Sequence, residues 1–171
     1  MTSLALDLST KSTGWAVFQD GTIIDYGFIT ATSTDLVVRI QKIVIGLKPI
    51  IEKYRPTEVI VEEVRPPQES RQNLQTHRAL MWLQGAVGIL IHEIDKKIKM
   101  HYIYPSEWRS ACGIKTGPKV LRETQKKYDI DFVHKNFGIF VNDDVADAIG
   151  IGYGYNQKQI KENSHEFNFG Q

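Results

Sequence analysis

The sequence predicts a mixed α/β layer fold in one domain, and three observations carry that expectation. The pair Asp20-Gly21 joins two apolar runs and signals a tight hairpin. Two further apolar runs, Val59 to Val64 and Met100 to Tyr104, are separated by segments of helical spacing. The succession is therefore a three-stranded antiparallel meander, a helix, a strand, a helix, a strand and further helices, the order of a mixed sheet with helices packed against it. At 171 residues the chain suits one such domain rather than two with a cleft between them.

Each element has its own reason. Leu4 to Leu8 reads as a buried central strand, with Gly14 to Phe18 and Thr22 to Ile29 as the hairpin beside it. Asp35 to Tyr54 has apolar residues at Leu36, Ile40, Ile43, Val44, Leu47, Ile50, Ile51 and Tyr54, which is helical spacing, with Asp35 as the cap and Pro49 as a kink near the end. After the strand Val59 to Val64, the paired prolines of RPPQES (65–70) mark a loop. A long helix follows from about Asn73 to Lys97, its apolar face marked by Leu80, Leu83, Val87, Leu90, Ile91 and Ile94, and its Gly85 and Gly88 read as points of close packing. Met100 to Tyr104 is a short strand, and PSEWRSACGIKTGPK (105–119) a short helix and a Gly/Pro loop. Pro118 then suits the first turn of a helix running to about Tyr128, and NDDVADAIGIGYGY (142–155) reads as a helix whose opening turn is acidic. Residues 1–158 form the domain on this reading, and 159–171 a polar, loose C-terminal tail.

Composition narrows the function. The single cysteine, Cys112, excludes an internal disulfide framework and points to a reducing, cytoplasmic setting. No basic-then-apolar leader opens the chain, and the longest apolar segment, Ala79 to Ile91, contains Gln84 and falls short of the roughly 20 residues a spanning helix needs, so no membrane partner is expected. Net charge is only +1, but it is segregated: Arg65 to Lys127 contains 12 Lys/Arg against 5 Asp/Glu, while the rest of the chain has 9 against 15. A basic middle beside acidic ends fits a polyanion-binding surface next to an acidic site, although solvated helix faces produce the same pattern.

The acids decide how that charge is read. Asp7 lies on a strand expected to be covered on both faces, where an ionised carboxylate is strongly disfavoured unless paired or bound to a metal. Glu62 and Glu63 interrupt the second apolar strand and point to opposite faces, so only one of them can join Asp7. Asp144 and Asp147, three apart in a helix, share a face. The helix macrodipole accounts for acids in a first turn, and a hydrogen-bonded acid holding the hairpin accounts for Asp7. Their joint occurrence on three separated segments supplies oxygen ligands suited to Mg²⁺ or Mn²⁺. The histidines at 77, 92, 101 and 134 are scattered and read as surface or packing residues.

LALDLSTKSTGWAVF (4–18) resembles the opening motif of RuvC-type Holliday junction resolvases: an acid on the first strand, a polar turn, then Thr-Gly and a second strand. VIVEEV (59–64) resembles the second motif of that family, and DDVADAIGIG (143–152) its closing Asp-x-x-Asp helix. The likeness covers Leu4 to Tyr155, and YPSEWRSACG (104–113) looks more like the phage-encoded branch. It implies a ribonuclease H-like, mixed five-stranded sheet flanked by helices. It also implies a homodimeric endonuclease that resolves four-way and other branched DNA by paired nicks leaving 5′-phosphates, in a bacterial cell or a phage-infected host. Asp7, Glu62, Asp144 and Asp147 take the metal-binding, catalytic positions for two Mg²⁺ or Mn²⁺ ions, with Glu62 in the place of the motif's first acid. Lys119 and Arg109 take the positions near the scissile phosphate. The basic segment adds Arg65, Arg71, Arg78 and Lys115 as DNA contacts. Where many bacterial members have an aromatic wedge, this chain has Arg65-Pro66-Pro67.

Three other readings compete. An actin-like phosphate-binding ATPase has a similar opening hairpin, but closes two domains around its nucleotide. A non-catalytic branched-DNA-binding recombination protein has no need of all four acids, and a processing nuclease acting on RNA differs only in substrate.

Overall fold

Alternation along the first strand sets the architecture. In β1 (Thr2–Asp7) Leu4 and Leu6 point to one side of the sheet, and Ala5 and Asp7 to the other. The structure, a computed structural model, describes residues 1–64, 71–117 and 120–168, with the side chains of 71–73 and 163–168 left out. β1 pairs antiparallel with β2 (Ser12–Gln19), which pairs antiparallel with β3 (Thr22–Thr30). On its other edge β1 pairs parallel with β4 (Glu58–Glu62), and β4 with β5 (Lys99–Ile103). The order β3-β2-β1-β4-β5 is a mixed five-stranded sheet, as expected, with β1 in the centre. Asp20 and Gly21 both adopt left-handed backbone, at φ 50° and 80°, as a two-residue hairpin turn requires.

Helices cover both faces. α1 (Leu36–Tyr54) and α2 (Arg71–Ile94) bury Ile43, Leu47, Ile51, Leu83 and Val87 against Leu4, Leu6, Val17, Val59 and Val61. α3 (Pro105–Ala111), α4 (Arg122–Phe137) and α5 (Asp143–Asn168) bury Trp108, Val133, Ala146 and Ile149 against Ala5, Ala16, Phe18 and Ile60. Asp35 caps α1, its carboxylate accepting from the Val37 N–H at 2.8 Å. Among the described residues no helix is long and apolar enough to cross a membrane.

Three expectations need correction. α4 begins at Arg122 and runs well past Tyr128, to Phe137, where Gly138 closes it at φ 69° with its N–H on the His134 carbonyl. Of the two α2 glycines, Gly85 has open space around it and a Cβ on Gly88 would make only an ordinary 3.6 Å contact with the Met100 sulfur, whereas glycines of α5 are tightly packed. A Cβ on Gly150 would lie 2.5 Å from the Trp108 ring, and one on Gly154 2.7 Å from the Trp108 carbonyl, so GIGYGY brings α5 onto α3. Finally, α5 continues beyond Lys158 to Asn168, so the start of the polar tail is helical. Pro118 lies outside the described residues.

Candidate active site

Asp7 closes the central strand. The parallel register Ala5–Ile60 and Leu6–Val61, taken one residue further, sets Asp7 beside Glu62 at the end of β4. Both side chains belong to the Ala5/Ile60 face, against which α5 lies. Glu63 follows on the opposite parity, and lines a smaller recess with His77, Leu80 and Gln84 that Asp7 and Glu62 also border. Alternation thus brings Glu62 to Asp7 and turns Glu63 away.

The first turns of α5 bring Asp144 and Asp147 to the same place, and Gly14 permits it. Gly14 is the cross-strand partner of Asp7 on β2, and a Cβ there would lie 1.9 Å from the Asp144 carbonyl oxygen. Helix and sheet meet backbone to backbone at that point. The Ser12 hydroxyl, two residues earlier, donates to Asp144 Oδ2. The four acids line one open cleft of about 1110 Å³, together with Ser9, Lys11, Arg39, Arg78, Arg109, Arg122 and Lys126.

A second set of groups holds this one. Trp108, fully buried, donates its indole N–H to Glu62 Oε1 at 2.9 Å. Gln84 donates to the Glu62 carbonyl at 3.1 Å. Next to Trp108 in sequence, Arg109 makes a fork onto Asp129 of α4, with contacts of 2.9–3.2 Å, and stands 3.9 Å from Asp147. Asp143 is ion-paired with Lys126, which holds its carboxyl below the usual range.

Electrostatics set the character of the cleft. Burial, and then the charges of Glu62 and Asp144, push the Asp7 carboxyl well above the ordinary aspartate range. Burial, then Asp7 and Asp129, push Asp147 up to about 9. Arg109 opposes both shifts. Asp147 Oδ1 is buried without a hydrogen-bond partner. Among the described residues no three His, Cys, Asp or Glu side chains are grouped closely enough to hold an ion as they stand. An oxygen-only donor set of mutually repelling carboxylates, one with an orphaned oxygen, nevertheless has the chemistry of a hard divalent cation site.

Asp7, Glu62, Asp144, Asp147 and Arg109 therefore converge. Arg78 is exposed on the cleft wall, 5.4 Å from the Trp82 ring centroid. Lys115 is exposed on the loop after Ile114 and does not line the cleft. Arg65, Pro66, Pro67 and Lys119, with the side chain of Arg71, lie outside the described residues. Sequence reasoning missed Trp108, Asp129, Arg122 and Lys126. Asp129 carried the same signal as Asp7, an acid among Tyr128, Ile130, Phe132 and Val133.

Residues 4–153 match the family described as crossover junction endodeoxyribonuclease RuvC. The chain belongs to the RuvC family. Its enzymatic class is that of the family, an endodeoxyribonuclease. Comparison with curated proteins finds no matching relative. Among solved structures, Thermus thermophilus RuvC in complex with Holliday junction substrate has a TM-score of 0.73 at 15% identity, covering 94% of this chain and 96% of its own. The fowlpox virus resolvase with its Holliday junction DNA has a TM-score of 0.57 at 16% identity, with 94% and 99% covered. The yeast mitochondrial Holliday junction resolvase Ydc2 has a TM-score of 0.55 at 19% identity, with 94% and 80% covered. At these identities the likeness establishes a shared fold across nearly the whole length of this RuvC-family chain.

Proposed function

We propose that the protein is a divalent-metal-dependent resolvase of Holliday junctions and related branched DNA, cutting by paired symmetric nicks that leave 5′-phosphates. One observation carries this reading: acids from β1, β4 and α5 converge in a cleft walled by Lys11, Arg39, Arg78, Arg122 and Lys126. Asp7, Glu62, Asp144 and Asp147 would hold Mg²⁺ or Mn²⁺, two ions per site, which supply an activated water and stabilise the leaving 3′-oxygen. The chain's own groups do the rest. The cationic walls bind backbone phosphates on either side of the acids, at a salt-dependent cost. Trp108 orients Glu62, and Ser12 orients Asp144, so the carboxylates meet the phosphate in a fixed arrangement. The resemblance places Lys119, with Arg109, near the scissile phosphate, and Lys115, Arg65 and Arg71 of the basic segment add contacts along the DNA.

Each chain has one such acid set, whereas resolution needs two nicks across the branch, so the working unit is a twofold homodimer. The outer face of α2 suits the second copy: Leu74, Met81, Trp82 and Ile89 are each about half exposed, and Gly85 between them faces open space. The protein would act on DNA in the cytoplasm of a bacterial cell or a phage-infected host. A supercoiled plasmid with an extruded cruciform tests the reading. Wild-type protein with Mg²⁺ is expected to give linear product, and verified mixed dimers of wild-type and Asp7→Asn chains mainly open circles. Efficient linearisation by the mixed dimers, or by a protein shown to be monomeric on the junction, would overturn the paired-site account.

A further inference from the structure

Arg109 is placed by resemblance beside the scissile phosphate, yet its surroundings are those of a fixed internal charge. Its side chain is 15% exposed, its guanidinium lies 4.3 Å from the Trp108 ring centroid, and Nε and Nη2 both donate to Asp129. The Asp129 side chain is fully buried and is held in turn by Gln125, whose Nε2 donates to Oδ1 at 3.2 Å. Asp129 belongs to α4, outside the three acidic motifs.

We propose that Asp129 is a positioning residue for the nuclease: it clamps Arg109 as a stationary positive charge beside Asp147, and so fixes the carboxylate set without touching DNA. The inference rests on the resolvase reading of the cleft. Two buried charges are tolerated only when well paired, and the fork of a guanidinium on a carboxylate is the geometry that pairs them. A pair serving stability alone has no need to lie at the active acids. Here Arg109 Nη2 is 3.9 Å from Asp147 Oδ1, beyond a hydrogen bond but well within coulombic reach, and that oxygen has no hydrogen-bond partner. Arg109 therefore supplies field rather than a bond. A lysine would keep the charge but lose the fork that aims it. Because Nε and Nη2 are both committed to Asp129, the guanidinium is held at the cleft wall instead of swinging out onto a DNA phosphate. Junction binding should depend little on it, and cleavage strongly.

The test compares wild type, Asp129→Asn, Arg109→Lys and the double variant. Single-turnover junction cleavage is measured in Mg²⁺, junction affinity in Ca²⁺, and Mn²⁺ binding to the DNA-free protein by paramagnetic resonance. Each single variant is expected to cleave at least about tenfold more slowly, the order of loss that small misplacements of reacting groups produce. Junction affinity should stay near wild type, Mn²⁺ should bind more weakly, and the double variant should be no slower than the slower single one. Wild-type rates for Arg109→Lys, losses that multiply in the double variant, or a matching loss of junction affinity would each overturn the inference. If Asp129→Asn fails to fold, Arg109→Lys, which keeps the charge, carries the test alone. If wild type itself does not cut junctions, the resolvase reading fails, and unchanged Mn²⁺ binding by Arg109→Lys would then overturn the positioning claim separately.

Discussion

Adding one methyl group at Gly14 should disable the enzyme without touching any acid. The alanine Cβ would sit 1.9 Å from the Asp144 carbonyl oxygen and 2.4 Å from its carbon. Ordinary contact begins at about 3.4 Å, so the start of α5 must retreat by the difference, about 1.5 Å. Backbone meets backbone there, and no flexible side chain can give way. Overpacking of this kind costs about 1–3 kcal/mol of stability. The functional cost should be larger, since a displacement of about 1 Å at reacting groups is worth about a hundredfold in rate. Asp144 and Asp147 move with the helix, away from Asp7 and Glu62. The assay is single-turnover cleavage of a four-way junction, alongside thermal melting and junction binding. Gly14→Ala should melt lower, bind the junction and cut it about a hundredfold more slowly. A folded Gly14→Ala protein that cuts at the wild-type rate would refute the claim that this backbone contact sets the position of the helix acids.

The other predictions concern the acids themselves. Asp7→Asn should abolish cleavage, by about a thousandfold or more, while junction binding survives; parallel loss of binding would make Asp7 a structural acid. Glu62→Gln should behave likewise and Glu63→Gln should be mild, as rates of the two variants side by side will show; the reverse order would contradict the face assignment. The pH dependence of stability follows from Asp147. Between the ordinary aspartate value near 3.8 and about 9, the native state retains a proton that the unfolded chain has released. Stability from that proton is present below this window and is lost as pH rises through it. Metal-free protein should therefore melt lower as pH rises from about 5 to about 9, Asp147→Asn should show a shallower fall, and Mg²⁺ should raise the melting temperature most at the alkaline end. Parallel slopes for the two proteins would show that Asp147 does not titrate in this range.

Much of the fold was legible because it rests on local chemistry. Asp20-Gly21 has one good hairpin solution, Asp35 one role before an apolar helix, and the apolar runs alternate or repeat with the period of their element. The pairing of Asp7 with Glu62 was half legible: parity said that one of two glutamates faces Asp7, and only the register of β4 on β1 says which. What escaped depends on contacts between distant segments. α4 has no clean apolar stripe, because buried Asp129 sits in its middle, so its length could not be read from periodicity, and its real stop signal was Gly138. Trp108 is a core residue, and its indole N–H on Glu62 depends on α3 following β5 directly beside β4. Gly14 was read as part of a motif, but its reason, the approach of α5 to β2, exists only in three dimensions.

Mapping the cuts tests most directly whether the cleft of carboxylates cuts branched DNA. End-labelled four-way junction, three-way junction and linear duplex are incubated with the protein, with and without Mg²⁺, and the products are sized. The expected result is cleavage of the four-way junction at symmetry-related positions on two opposing strands, with 5′-phosphate ends, only with the divalent ion, and little cutting of the linear duplex. A junction left intact in Mg²⁺ and Mn²⁺ by protein that binds it, or equal cutting of linear and branched DNA, would contradict the account.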